Sequence, residues 1–165
     1  MQKYFFLVCP TDCLEPAINK TFQYENYFYA TLGNSFIYDR KTINSIGQII
    51  KKHSIDKMYF VLSLNNKIVL DALGKKSFSS IAVLNNLHKE INREKVRTKI
   101  AFENSNEQFE VISYYLNKKI KELTLQLTNL TTVPITIGGK IYHRDQDIFT
   151  NIYSDLVCLE KYHLN

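Results

Sequence analysis

Lys3-Tyr4-Phe5-Phe6-Leu7-Val8-Cys9-Pro10-Thr11-Asp12-Cys13 is the stretch that decides the fold. Its first seven residues are almost unbroken apolar sequence of strand length, stopped by Pro10. A run without apolar–polar alternation predicts a strand covered on both faces, as in the interior of a parallel sheet. Asp12 stands where it would cap a short helix over Leu14–Thr21, with Pro16 in the first turn. A second such strand, Met58–Leu62, runs into Ser63-Leu64-Asn65-Asn66-Lys67.

Between them lie an aromatic strand at Tyr27–Thr31 and then Gly33-Asn34, residues suited to positive φ or close backbone approach. A helix over Ile43–His53 follows, with Thr42 as its N-cap and Ile43, Ile46, Ile49 and Ile50 on one stripe. The order β-α-β-α-β with short connections predicts an α/β fold with a mostly parallel central sheet flanked by helices.

Farther on, Ile68–Leu87 reads as helix interrupted by Gly74 and by Ser77–Ser80. His88–Arg97 reads as a charged, exposed helix, and Glu107–Lys121 as an amphipathic one. Leu123–Leu127 fits either a strand or the end of that helix. Val133–Ile137 predicts a strand, Gly138-Gly139 a tight turn and Lys140–Tyr142 renewed extension. Ile148–Tyr153 reads as a last strand and Ser154–Asn165 as a C-terminal helix or tail. One domain over residues 1–165 is expected, with 153–165 as that tail.

The chain has 165 residues, a net charge of +5 and a sequence pI near 9.0, with 45% hydrophobic and 22% charged residues, which excludes a disordered chain. The basic pairs Lys51-Lys52, Lys75-Lys76 and Lys118-Lys119 are scattered, as solvated helix faces and turns are. Nucleic-acid binding would require them to converge on one face beside aromatics able to stack on bases, so such a partner is not expected beyond weak, non-specific attraction. Cys9, Cys13 and Cys158 are odd in number, and no secretory signal is evident. They are therefore expected as reduced thiols in a cytoplasmic protein. No stretch is long and apolar enough for a membrane span.

In strand and loop order the chain resembles the β-class carbonic anhydrases over most of residues 3–150. The resemblance rests on the strand ending in Cys9, where that family has Cys-x-Asp-Ser-Arg, and on Tyr29-Ala30-Thr31-Leu32-Gly33-Asn34, where it has Arg-Asn-Ala-Gly-Asn. It rests also on Val133-Pro134-Ile135-Thr136-Ile137-Gly138-Gly139-Lys140-Ile141-Tyr142, which is similar to the family's late strand and Gly-x-x-Tyr turn. The family holds zinc with two Cys and one His, and the cation lowers the pKa of its bound water towards ~7.

By this resemblance Cys9 takes the first thiolate position. The family's Asp, Ser and Arg fall on Thr11, Asp12 and Cys13, so its Asp-Arg pair is missing. Its His-x-x-Cys falls on Ser63 and Asn66. No His or Cys lies between Ser54 and Leu87, so no shift of register restores the site. One ligand of three does not hold a catalytic zinc. The expectation is a zinc-free, carbonic anhydrase-like protein with no cofactor, no metal and no catalytic residue. It would serve as a binding, scaffold or regulatory module, as a homodimer, with Tyr27 and Tyr38 as exposed aromatics at the interface.

Thr11, Asp12, Gly33, Ser63 and Asn66 are expected to converge beyond the strand ends. With Cys9, Cys13 and Asn34 they form a vestigial pocket for bicarbonate, another small anion or nothing, and the partners expected of the protein are a small anion or an unknown protein. The competing reading is an enzyme of other chemistry using Cys9 or Asp12. Cys9 and Cys13 are not spaced as a redox pair, and Cys158 and His163 are expected to be structural. His53, His88 and His143 read as surface or satisfied polar residues.

Overall fold

Five strands form one sheet in the order β2-β1-β3-β4-β5, and the two most apolar segments of the chain are neighbours at its centre. The computed structural model describes residues 2–35, 37–74, 77–101, 107–130 and 134–154. Strand β1 (Lys3–Val8) pairs in parallel with both β2 (Glu25–Ala30) and β3 (Lys57–Ser63). Strand β4 (Thr136–His143) adds in parallel to β3, and β5 (Ile148–Asn151) closes the edge antiparallel to β4. Between the strands lie α1 (Glu15–Thr21), α2 (Arg40–His53), α3 (Lys67–Leu73), α4 (Asn85–Ala101) and α5 (Glu107–Thr128).

The sheet buries its two faces unequally. Phe5, Leu7, Met58, Phe60, Leu62 and Ile141 point into the larger core, where Ile43, Ile46 and Ile50 of α2 meet them. Leu87 and Ile91 of α4 and Val111, Tyr115 and Leu116 of α5 complete that core. The opposite face carries Tyr4, Phe6, Val8, Val61 and Tyr142 against Leu14 and Ile18, with α1 as the helix packed on it. Between α4 and α5, Lys118 Nζ lies 3.0 Å from Glu90 Oε1, and Lys119 Nζ lies 3.3 Å from both Glu90 Oε2 and Glu122 Oε2.

Several local expectations are corrected. Asp12 does not cap α1: the cap position is Leu14, with no side-chain bond, because the Asp12 carboxylate is engaged elsewhere. Helix α2 starts earlier than its isoleucine stripe suggests, and Asp39, not Thr42, is its cap, accepting from the Thr42 backbone N–H at 2.7 Å. Gly138 and Gly139 lie inside β4 rather than in a turn. A Cβ at Gly138 would sit 3.1 Å from Tyr59 Cε1, and one at Gly139 would sit 2.5 Å from Ile152 Cδ1, so both glycines make room for neighbouring side chains.

Leu123–Leu127 belongs to α5. Helix α4 is not simply exposed: Leu87, His88, Ile91 and Glu94 are buried. The strand predicted from Val133 begins at Thr136, and Val133 itself lies outside the described residues. Lys75-Lys76, Cys158, His163 and the tail from residue 155 also lie outside them. Among the described residues no helix is long and apolar enough to cross a membrane.

The cap assignment is testable. Asp39→Ala lowers the thermal midpoint, whereas Thr42→Val, which keeps the backbone donor, leaves the cap in place. The Thr42 backbone N–H holds the Asp39 carboxyl below its ordinary range. Its contribution is therefore present above the unfolded-state pKa and is lost as pH falls through the lower folded-state value. Melting curves of both variants between neutral and acidic pH check this; equal midpoints for Asp39→Ala and the parent protein would refute the assignment.

Candidate functional site at the strand ends

Strands β1 and β3 run side by side, so the loops leaving their carboxyl ends face each other. Asp12, 3% exposed, reaches from the first loop into the second. Its Oδ2 accepts from the Ser63 backbone N–H at 2.9 Å and from Asn66 Nδ2 at 2.9 Å, and its Oδ1 accepts from Ser63 Oγ at 2.5 Å. Asn66 is committed at both ends. Its amide nitrogen serves Asp12, while its Oδ1 accepts from the backbone N–H groups of Ile68 and Val69 and caps α3. Arg144, just after β4, donates to the Asp12 carbonyl at 2.7 Å. One carboxylate thus joins β1, β3 and α3, and its own backbone is tied to β4.

Cys9 lies in a separate contact group. Its Sγ accepts from the Gly33 N–H at 3.1 Å and lies 3.1 Å from Thr11 Oγ1. Gly33 and Asn34 both have positive φ, 57° and 56°, as their residue types suggested. A Cβ on Gly33 would lie 2.4 Å from Leu87 Cδ1 and 3.1 Å from Ile68 Cγ2, so the backbone here is packed directly against α3 and α4. The Tyr115 hydroxyl donates to the Gly33 carbonyl at 2.8 Å, and desolvation raises that phenol's pKa well above the usual value. Asn34 Nδ2 donates to the Val61 carbonyl, whereas its buried Oδ1 meets no hydrogen-bond partner among the described residues.

Of the eight residues singled out from sequence, Asp12, Ser63 and Asn66 form one network, and Cys9, Thr11 and Gly33 another. Asn34 braces β3. Cys13 is exposed and turned away, its Sγ donating to the Pro10 carbonyl. Arg144, Tyr115 and Leu87 carry much of this geometry. No local sequence signal marks them, because each acts across a separation of more than fifty residues.

The histidines have structural partners. His88 is buried, with Nδ1 2.9 Å from the Leu84 carbonyl and Nε2 3.3 Å from Asp71. His143 Nε2 meets Thr150 Oγ1 at 2.8 Å, and the His53 ring packs on Tyr27. Tyr27 and Tyr38 are half-buried rather than freely exposed. The Tyr27 hydroxyl bonds Glu25, and that of Tyr38 donates to the Lys119 carbonyl. A cleft of about 240 Å³ beside Tyr38 is lined by Leu87, Glu90, Lys119 and Glu122, and burial pushes the Tyr38 phenol up.

The sequence matches no protein-family model, and no curated protein matches it. Solved structures do match. A β-carbonic anhydrase of Aspergillus fumigatus, CafD, superposes with TM-score 0.63 at 15% identity, over 93% of this chain and 90% of that one. The Coccomyxa β-carbonic anhydrase in complex with acetazolamide gives TM-score 0.68 at 11% identity, over 93% of this chain and 72% of that one. A tetrameric β-carbonic anhydrase of Sordaria macrospora gives 0.67 at 11%, over 93% and 81%. This chain has the β-carbonic anhydrase fold.

The zinc chemistry associated with that fold does not fit the donors present here. A tight zinc site takes thiolates and imidazoles. Here the Ser63 hydroxyl and the Asn66 amide nitrogen both donate to Asp12, and the amide oxygen of Asn66 is used by α3. Cys9 Sγ accepts a backbone N–H. Among the described residues no group of three or more His, Cys, Asp or Glu could hold a metal ion.

Removing the carboxylate strands the buried donors of Ser63 and Asn66. Asp12→Ala is expected to cost about 3 kcal/mol, whereas Asp12→Asn, which keeps the shape and one acceptor, costs less than half as much. Urea denaturation of the three proteins reads this directly. Equal stability of Asp12→Ala and the parent would show that the network carries no weight.

Proposed function

We propose that this protein is a carbonic anhydrase-like module without a functional zinc site, acting by binding rather than by catalysis, as a scaffold or regulatory partner. One observation carries the reading: the Asp12 carboxylate takes up the side chains of Ser63 and Asn66, the residues on which, by the sequence resemblance, the family's His and second Cys fall. Hydration of carbon dioxide in that family needs a cation to generate hydroxide near neutral pH. Here the corresponding groups are a hydroxyl, an amide and a lone thiol, all spent on holding the loops together.

The competing reading, a different enzyme at the same strand ends, gains no support from these groups. Cys9 is 0% exposed, and Asp12 already accepts three hydrogen bonds. A general base or nucleophile must reach its substrate. Self-association accords with the tetrameric neighbour from Sordaria macrospora, and a homodimer is the state proposed.

Purified protein, exposed to zinc and then dialysed, should hold far less than one zinc per chain and give no hydration of carbon dioxide above buffer. Stoichiometric zinc that disappears in Cys9→Ser would overturn the proposal, as would measurable hydratase activity. Sedimentation equilibrium should give twice the chain mass; a monomer at all concentrations would remove the homodimer.

A further inference from the structure

On the sheet face that carries α1, the helix packs over Val8 of β1, Val61 of β3 and Tyr142 of β4, all of them buried. Over β3, β4 and β5 the same face presents Lys57, Tyr59, Thr136, Gly138, Lys140 and Asn151, none of which is buried. Tyr59 lies against Gly138, which leaves its ring low over the neighbouring strand. Phe22 lies beside it with ring centroids 6.5 Å apart, and Phe149 adjoins Phe22 at 5.4 Å, while the fully buried Phe6 supports Tyr59 from within the core at 5.8 Å. Tyr24, 46% exposed, extends the aromatic floor through Tyr4 at 4.8 Å.

Two lysines stand over this floor. Lys140 Nζ is 4.9 Å from the Tyr59 ring centroid and 5.6 Å from that of Phe22, and it bonds Asn151. Lys57 Nζ is 5.8 Å from the Tyr4 ring centroid. Among the described residues neither is ion-paired. Of the carboxylates at the margins, Glu25 pairs with Lys3 and Asp147 with Lys20, while Asp56, next to Lys57, is exposed. Partial burial lowers the Lys140 pKa.

We infer that this aromatic and cationic patch of the sheet, around Lys57, Tyr59 and Lys140, is a docking surface for single-stranded nucleic acid. Flat rings offer sequence-tolerant stacking for bases, and lysines among them meet the phosphates. Charge argues against a second copy of this chain, since a two-fold axis through the face would set Lys57 and Lys140 against their own images. The basic pairs evident in sequence do not serve: Lys118 and Lys119 are tied to Glu90 and Glu122, and Lys51 and Lys52 lie on α2, across the sheet. A nucleic acid would then be what the proposed binding module takes up, and to that extent it rests on that reading. Zinc content is blind to this face, so the two fail separately.

The test is fluorescence anisotropy of a labelled thymidine oligonucleotide of about 12 residues in roughly 50 mM salt. Lys57→Glu/Lys140→Glu is compared with Lys51→Glu/Lys52→Glu, which changes the net charge equally on the opposite side. The first pair should weaken binding by at least about tenfold and the second by no more than about twofold. Tyr59→Leu, which keeps an apolar side chain over Gly138, should weaken binding while its circular dichroism stays that of the parent. No binding by the parent, equal loss in both charge variants, or dissociation of a dimer by Lys57→Glu/Lys140→Glu would overturn the inference, the last by showing the face to be a self-interface.

Discussion

A single buried carboxylate sets the arrangement of the strand ends. Past the strand ends the regular ladder stops, and side chains add to the few backbone bonds that hold the neighbouring loops together. Asp12 does this with three accepted hydrogen bonds, two from Ser63 and one from Asn66. Through Asn66 it also sets the start of α3, and Arg144 fastens its backbone from beyond β4. Buried polar groups of this kind stabilise only when every member is satisfied, and here each donor that meets the carboxylate is.

That closure joins the two strand ends with side chains alone, and among the described residues no group of three or more His, Cys, Asp or Glu could hold a metal ion. In a zinc site the cation itself would join residues from two strand ends and neutralise their charge. Here a carboxylate with neutral donors links the same two strand ends. Leu87 and Ile68 press on Gly33 from above, and Tyr115 holds its carbonyl from α5. One sheet face is deeply packed under α2, α4 and α5, and the other buries Tyr4, Phe6, Val8, Val61 and Tyr142 on the α1 side.

Much of this was legible in the sequence, for a physical reason. Strands β1 and β3 are central and covered on both faces, so their composition is apolar throughout and needs no periodicity to be recognised. Gly33-Asn34 announced its backbone conformation because few other residues adopt it. What escaped was set at long range. Asp12 looked like a cap because capping is a local rule, while its partners lie fifty-one and fifty-four residues away. Gly138-Gly139 looked like a turn, although the space those glycines leave is filled by Tyr59 and Ile152. The charge of α4 hid a buried stripe of Leu87, Ile91 and Glu94.

The central claim concerns what occupies the space between the ends of β1 and β3. Crystals grown with zinc present, with diffraction recorded on both sides of the zinc absorption edge, address it most directly. The account predicts no anomalous peak near Cys9 Sγ, and electron density placing the Asp12 carboxylate within hydrogen-bonding distance of Ser63 and Asn66. A strong peak beside Cys9, with Asp12 swung away and a tetrahedral set of donors around the ion, would contradict it.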